Sequence, residues 1–69
     1  MTMNDQAATR SFQRLERASQ LLGTAVVLAN ETTDADLTLC RAINQAVVVL
    51  AETSRMLVDE SMRDLSRRA

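Results

Sequence analysis

The sequence predicts an all-α protein, a single domain over residues 1–69 folded as an antiparallel hairpin of two helices. The 69 residues contain no proline and a single glycine, so the strongest turn formers of β-hairpins are missing. Apolar residues recur at alternating spacings of three and four, the period of an amphipathic helix. One polar segment, "NETTDAD" at residues 30–36, divides these patterns. We therefore expect helix 1 at about residues 5–29, a turn at 30–34 and helix 2 at 35–66.

Helix 1 carries two parallel apolar stripes. The stripe with the larger side chains is predicted to pack against helix 2, and it consists of Ala8, Phe12, Leu15, Ser19, Leu22, Val26 and Ala29. The second stripe consists of Ala18, Leu21, Ala25 and Leu28. The helix is therefore amphipathic at its start and nearly apolar all round at its end.

The turn carries the signals that end one helix and begin another. Asn30 is suited to the left-handed conformation that often closes a helix. Thr33 is placed as the N-cap of helix 2, with Asp36 at the third helical position, as in a capping box.

Helix 2 contains the run "QAVVVLAE" at residues 45–52, whose β-branched residues suit either a strand or a buried helix. Helical spacing extends on both sides of it, through Leu39, Ile43, Val47, Leu50, Ser54, Leu57, Ser61 and Leu65, so we interpret the run as the middle of a helix. Folding about residues 31–33 pairs positions whose numbers sum to roughly 64, and helix 2 overhangs helix 1 beyond Glu60. The predicted hairpin core is Phe12, Leu15, Leu22, Val26, Ile43, Val47, Leu50 and Leu57.

A chain of this size buries only about 60% of the surface that its unfolded form exposes, so it needs additional stabilisation. One cysteine and no histidine exclude an internal disulfide and make a structural metal site improbable, which leaves self-association. We expect a homodimer with a four-helix arrangement. Its predicted interface uses the second stripes, with Leu21, Leu28, Ala46, Val48, Val49 and Met56.

The composition argues against an enzyme. Histidine, tyrosine and lysine are absent, and Cys40 has no base or orienting partner in the sequence pattern. The carboxylates of helix 2 alternate with Arg55 and Arg63, which indicates a solvated charged face rather than a metal site. We predict no catalytic, cofactor-binding or metal-binding residues.

Arg10, Arg14 and Arg17 are predicted to bind a partner. Their spacing of four and three places three guanidinium groups on one face of helix 1, where they can bind carboxylates or phosphate, although a solvated stripe is an equally simple interpretation. A formal charge of −1 and the lack of a recognition helix after a tight turn argue against nucleic acid. The start "MTMNDQAATR" lacks the features of a signal peptide, and no stretch is long enough to span a bilayer. We expect a cytoplasmic chain without a membrane partner.

Two stretches, "LERASQLLGTAVVLANETTD" and "AINQAVVVLAETSRMLVDES", resemble short helical-hairpin proteins of pseudomonads and their phages. The matching residues are Ala18, Ser19, Leu21 and Leu22 of an "A-S-x-L-L" helix, then Leu57, Val58 and Asp59 of an "LV-(D/E)" segment. Length and architecture also resemble a phage-encoded anti-activator of quorum sensing. That resemblance implies a dimer that binds a LuxR-type transcriptional regulator and blocks its DNA binding. A second implied partner is the ATPase that drives type IV pilus assembly.

The leading hypothesis is therefore a non-enzymatic inhibitor or adaptor that binds a bacterial regulatory protein. The alternative is a structural or secretion-type helical co-chaperone, which would be a loosely folded monomer until it meets its partner. A nucleic-acid binder is the third class.

Overall fold

The computed structural model describes the backbone of residues 3–68 and the side chains of residues 6–32 and 35–67. Two α-helices, α1 (Met3–Asn30) and α2 (Leu37–Arg68), are joined by a 3₁₀ turn (Glu31–Asp34). The helices contact each other along their length, which confirms the all-α hairpin. The molecule measures 52 × 16 × 12 Å, so it is a single pair of helices with no second layer.

The turn differs in detail from the prediction. Asn30 has right-handed helical torsion angles, φ −69° and ψ −24°, and no residue other than glycine has a positive φ in the described part of the chain. The chain reverses instead through the 3₁₀ turn, whose end is closed by Thr32 accepting a 3.4 Å hydrogen bond from the Ala35 N–H. The cap of α2 is Asp36, because its Oδ1 accepts the Leu39 N–H at 2.8 Å. The Thr33 side chain, the predicted cap, lies outside the described residues.

The two helices meet along a seam that has a strict seven-residue repeat. In α1 the seam consists of Ala7, Ser11, Arg14, Ala18, Leu21, Ala25, Leu28 and, in the turn, Thr32. In α2 it consists of Cys40, Ile43, Val47, Leu50, Ser54, Leu57, Ser61 and Asp64. Every one of these residues is buried or half-buried. Spacings of three and four alternate without interruption, which is the pattern that keeps two coiled-coil helices in contact.

Small side chains fill the seam. The buried residues among those described are Ser11, Ala18, Ala25, Ser54 and Ser61. The backbones approach closely enough for Ser61 Oγ to donate a 3.2 Å hydrogen bond to the Ser11 carbonyl oxygen of the opposite helix. Ser54 Oγ instead donates to its own helix, to the Leu50 carbonyl oxygen at 2.7 Å. The hairpin is therefore held by close approach rather than by a core of large side chains.

The register differs from the prediction. Ser11 lies opposite Ser61, and Cys40 Sγ is 3.5 Å from the Thr32 carbonyl oxygen. In both pairs the residue numbers sum to 72 rather than to the predicted value of roughly 64. The shift arises because the connection is longer than expected, so that the chain reverses near residue 36. Helix α2 consequently ends near the start of α1, and the predicted overhang beyond Glu60 is wrong.

The predicted core of helix 1 is also wrong. Phe12, Leu15, Leu22 and Val26 are 66%, 37%, 44% and 61% exposed, because each follows a seam residue by one position and lies on the outside. The second stripe of helix 1, which is predicted to form the dimer interface, faces α2 instead. In α2 the seam includes the residues predicted as core, Ile43, Val47, Leu50 and Leu57, all half-buried.

Candidate protein-binding faces

The seam divides the outer surface of the hairpin into two faces. In an antiparallel pair, residues one position after a seam residue lie on the same side of both helices, and residues one position before it lie on the other side. We call the first side the apolar face and the second side the arginine face, after the residues that they carry.

The apolar face runs along the whole hairpin. Its large side chains are Phe12, Leu15, Leu22 and Val26 of α1, and Val48, Val58, Met62 and Leu65 of α2. Phe12, Val48 and Met62 are each more than half exposed, at 66%, 52% and 59%. The positions of this face in residues 8–29 carry no charge, and its charged side chains in residues 41–65 are Arg41 near the turn and Arg55. A continuous exposed apolar surface of this kind is typical of a protein-binding site.

The arginine face is polar at the open end of the hairpin and apolar near the turn. Arg10, Gln13 and Arg17 line a shallow groove with Leu57, and Arg63 of α2 lies on the same side. These three arginines form no ion pair with another described residue. Towards the turn, the exposed apolar residues of this face are Val27, Leu39, Ala42 and Val49, and Thr24 and Glu31 are exposed beside them. The face therefore offers unpaired guanidinium groups beside apolar surface.

Arg14, predicted to bind a partner together with Arg10 and Arg17, has a different role. It lies on the seam, where its Nη1 donates to Asp64 Oδ2 at 2.5 Å and its Nε is 3.6 Å from Glu60 Oε2. The Asp64 carboxylate also accepts a hydrogen bond from Arg67. Arg14 thus joins the two helices at the open end of the hairpin, whereas Arg10 and Arg17 have no ion-pair partner among the described residues.

The environment of Asp64 favours its ionised form. The hydrogen bond from Arg14 lowers the pKa of this carboxyl below its usual value, and partial burial opposes the shift. The charges of Arg14, Arg67 and Arg10 lower the pKa further. Asp64 is therefore a fixed negative charge of the seam.

The residues predicted for a dimer interface do not form one surface. Leu21 and Leu28 are half-buried seam residues that face α2, so the prediction is wrong for both. Val48 lies on the apolar face, whereas Ala46, Val49 and Met56 lie on the arginine face. Consecutive helical residues are about 100° apart around the axis, which is why Val48 and Val49 belong to opposite faces.

The described residues contain no cluster of side chains that could hold a metal ion. No group of three or more histidine, cysteine or acidic side chains comes together in that part of the chain. Cys40 Sγ lies 3.5 Å and 3.4 Å from the carbonyl oxygens of Thr32 and Ala35, so the thiol is a local hydrogen-bond donor at the turn. Over the same residues, neither helix contains a stretch that is long and apolar enough to cross a membrane.

A seven-residue repeat of small side chains is the signal that would have identified the correct stripe. Ser11, Ala18 and Ala25 follow each other at this spacing in α1, and Ser54 and Ser61 do so in α2. The stripe of α1 with the larger side chains, which is predicted to pack against helix 2, lies on the outside instead.

Comparisons of this chain with family models, with curated proteins and with solved structures give no match.

Proposed function

We propose that this chain is a non-enzymatic, cytoplasmic protein-binding inhibitor or adaptor. The observation that carries the proposal is the placement of its large apolar side chains. Twelve of them are exposed among the described residues, including Phe12, Val26 and Met62, while the fully buried positions of the seam are alanine and serine. Exposed apolar surface of this extent is costly in a monomer that has no partner. The hairpin is suited to binding proteins.

The arginine face is the proposed binding surface for the target. Arg10 and Arg17 are exposed, one on each side of Arg14 along α1, and both lack an ion-pair partner among the described residues. Arginine is enriched at the energetic centres of interfaces, because its planar guanidinium pairs with carboxylates in bidentate geometry. The Leu57 side chain in the same groove supplies apolar contact. A target with an acidic segment beside an apolar patch fits this surface.

The proposed target is a LuxR-type transcriptional regulator, as the sequence resemblance implies. A rigid hairpin 52 Å long is large enough to cover a domain surface or to hold a regulator in a conformation that does not bind its operator. The resemblance also implies the ATPase of type IV pilus assembly as a second target, which makes a second binding assay worthwhile.

A DNA mobility-shift assay tests the proposal. A purified LuxR-type regulator of the bacterial host is incubated with its operator, and the hairpin is added in increasing amounts. We expect the wild-type hairpin to release the operator. We expect Arg17→Glu to weaken this inhibition about tenfold or more, because the substitution replaces an attractive charge by a repulsive one.

Arg41→Glu is the matched control, since Arg41 is also exposed and the charge change is the same. It lies on the apolar face near the turn, so we expect it to inhibit like the wild type once light scattering shows that the two have the same oligomeric state. Equal loss in both variants would mean that net charge, not the arginine face, drives binding. A wild-type hairpin that leaves the operator bound and does not bind the regulator in calorimetry would refute the proposed target.

A further inference from the structure

We propose that the apolar face is covered by a second copy of this chain, so that two hairpins pack face to face as a four-helix dimer. The inference goes beyond the proposed function, because it concerns a different face and does not depend on the identity of the target.

The surface area of the single chain indicates that a substantial part of it is covered in the assembled protein. A compact monomer of 7.6 kDa exposes about 4,300 Å² on the general size relation. This chain exposes 5308 Å², roughly 1,000 Å² more. A stable dimer buries about 800 Å² per partner, so the excess matches the area that one dimer interface removes.

The shape of the chain supports the same conclusion. Its radius of gyration is 15.8 Å, whereas a compact chain of this length has one of about 11 Å. Packing a second hairpin against the first adds thickness without length. A four-helix arrangement is the usual form in which paired helices bury a second apolar stripe.

The distribution of charged side chains indicates which face of the hairpin is suited to a two-fold dimer. A two-fold dimer brings the same patch of both copies together, so the patch must complement itself. The apolar face does so along most of its length, because Arg41 near the turn and Arg55 are its charged side chains in residues 41–65, and Arg55 is already near Asp59, with Nε and Oδ2 3.9 Å apart. The arginine face is less suited to this, because pairing it would bury Arg10, Arg17 and Arg63, which have no ion-pair partner among the described residues, while Arg14 already engages Glu60.

Two pairs of adjacent valines allow a test in which composition is constant. Val26 and Val48 lie on the apolar face, and Val27 and Val49 follow them directly on the arginine face. All four are 52–61% exposed. The double variants Val26→Asp with Val48→Asp, and Val27→Asp with Val49→Asp, therefore have the same mass, charge and composition. Light scattering coupled to size exclusion gives their oligomeric state, and circular dichroism gives their helicity.

We expect the wild type and the Val27/Val49 variant to be dimers. The Val26/Val48 variant should be a monomer, with a dissociation constant raised by about a hundredfold or more, since it places four unpaired charges in the interface. A monomeric wild type, a selective loss of the dimer in the Val27/Val49 variant, or equal loss in both would each overturn the inference. If an aspartate variant loses its helicity, the isosteric pairs of Val→Thr changes decide the question by the same criteria, with a smaller shift.

Discussion

The seam and the apolar face use neighbouring residues of the same helix and differ in almost every property. Ser11, Ala18 and Ala25 of the seam are buried, and Phe12 and Val26, which directly follow two of them, are mostly exposed. Both sets have helical periodicity, so periodicity alone does not distinguish them. The stripe of α1 that faces α2 is therefore the one that lets the two backbones approach closely. It is not the stripe with the largest apolar area.

Close approach of the two helices limits how much apolar surface the hairpin buries. Small residues at the fully buried positions of the seam allow Ser61 of one helix to reach the backbone of the other, but these positions bury little apolar surface. Large side chains such as Phe12, Val26 and Met62 remain exposed, where they contribute to stability only when another surface covers them. Folding of the hairpin and binding of a partner are therefore expected to be coupled.

Enlarging a seam residue is the most direct test of the difference between the seam and the apolar face. Ala18 is 2% exposed, so Ala18→Leu forces the helices apart and should lower the free energy of unfolding by about 1–3 kcal/mol. Thermal unfolding followed by circular dichroism, at one protein concentration, measures the change.

Ser19→Leu is the matched control for the neighbouring exposed position on the apolar face. It should change the unfolding free energy by no more than about 0.5 kcal/mol, or raise it if the added side chain is covered in a dimer. If Ser19→Leu were the more damaging of the two, the assignment of the seam would be wrong.

The two serines that meet across the seam should respond in opposite directions. Ser61→Ala removes the hydrogen bond to the Ser11 carbonyl oxygen and should cost about 0.5–1.5 kcal/mol. Ser11 Oγ is buried and has no hydrogen-bond partner in the described structure, so Ser11→Ala removes an unpaired polar atom and should be neutral or stabilising. Urea unfolding of both variants measures the order of stability. A Ser11→Ala variant that loses as much as Ser61→Ala would show that this hydroxyl is hydrogen-bonded in solution.

The sequence predicts the fold class and the middle of the helix 2 seam, from Ile43 to Ser61, because one strong stripe there continues past the valine run. The prediction is wrong at the two ends of that stripe, where Leu39 and Leu65 are exposed. The sequence does not predict the register or the helix 1 half. The register depends on how many residues the 3₁₀ turn consumes, and no local signal in residues 30–36 sets that number. The choice of stripe in helix 1 depends on backbone separation, which is a property of both helices together. Arg14 is the clearest case, since its pairing with Asp64 depends on the register.

Replacing the glycine on the outer surface of α1 should leave the seam unchanged and raise the free energy of unfolding. Gly23 lies in the middle of α1 on its exposed side, and a Cβ added there meets nothing within 4 Å. Gly23→Ala should raise the free energy of unfolding by about 0.5–1 kcal/mol, because glycine loses more conformational freedom in a helix. Ala51→Gly, at an exposed position of α2, should lower it by a similar amount. Denaturant unfolding distinguishes the two, and a destabilising Gly23→Ala would mean that another molecule packs closely on this side.

The smallest effect concerns the charged end of the seam and is visible in its pH dependence. Because Arg14 lowers the pKa of Asp64 below its usual value, the folded state favours the carboxylate. Its contribution is complete above about pH 5 and is lost as the pH falls through the lowered folded-state pKa. Asp64→Asn should therefore melt below the wild type at neutral pH, and the two melting temperatures should converge near pH 2. Asp59→Asn, which removes the outer pair with Arg55, should melt close to the wild type at both pH values, since exposed ion pairs contribute little. A difference between Asp64→Asn and the wild type that persists unchanged in acid would mean that Asp64 acts through packing and not through its charge.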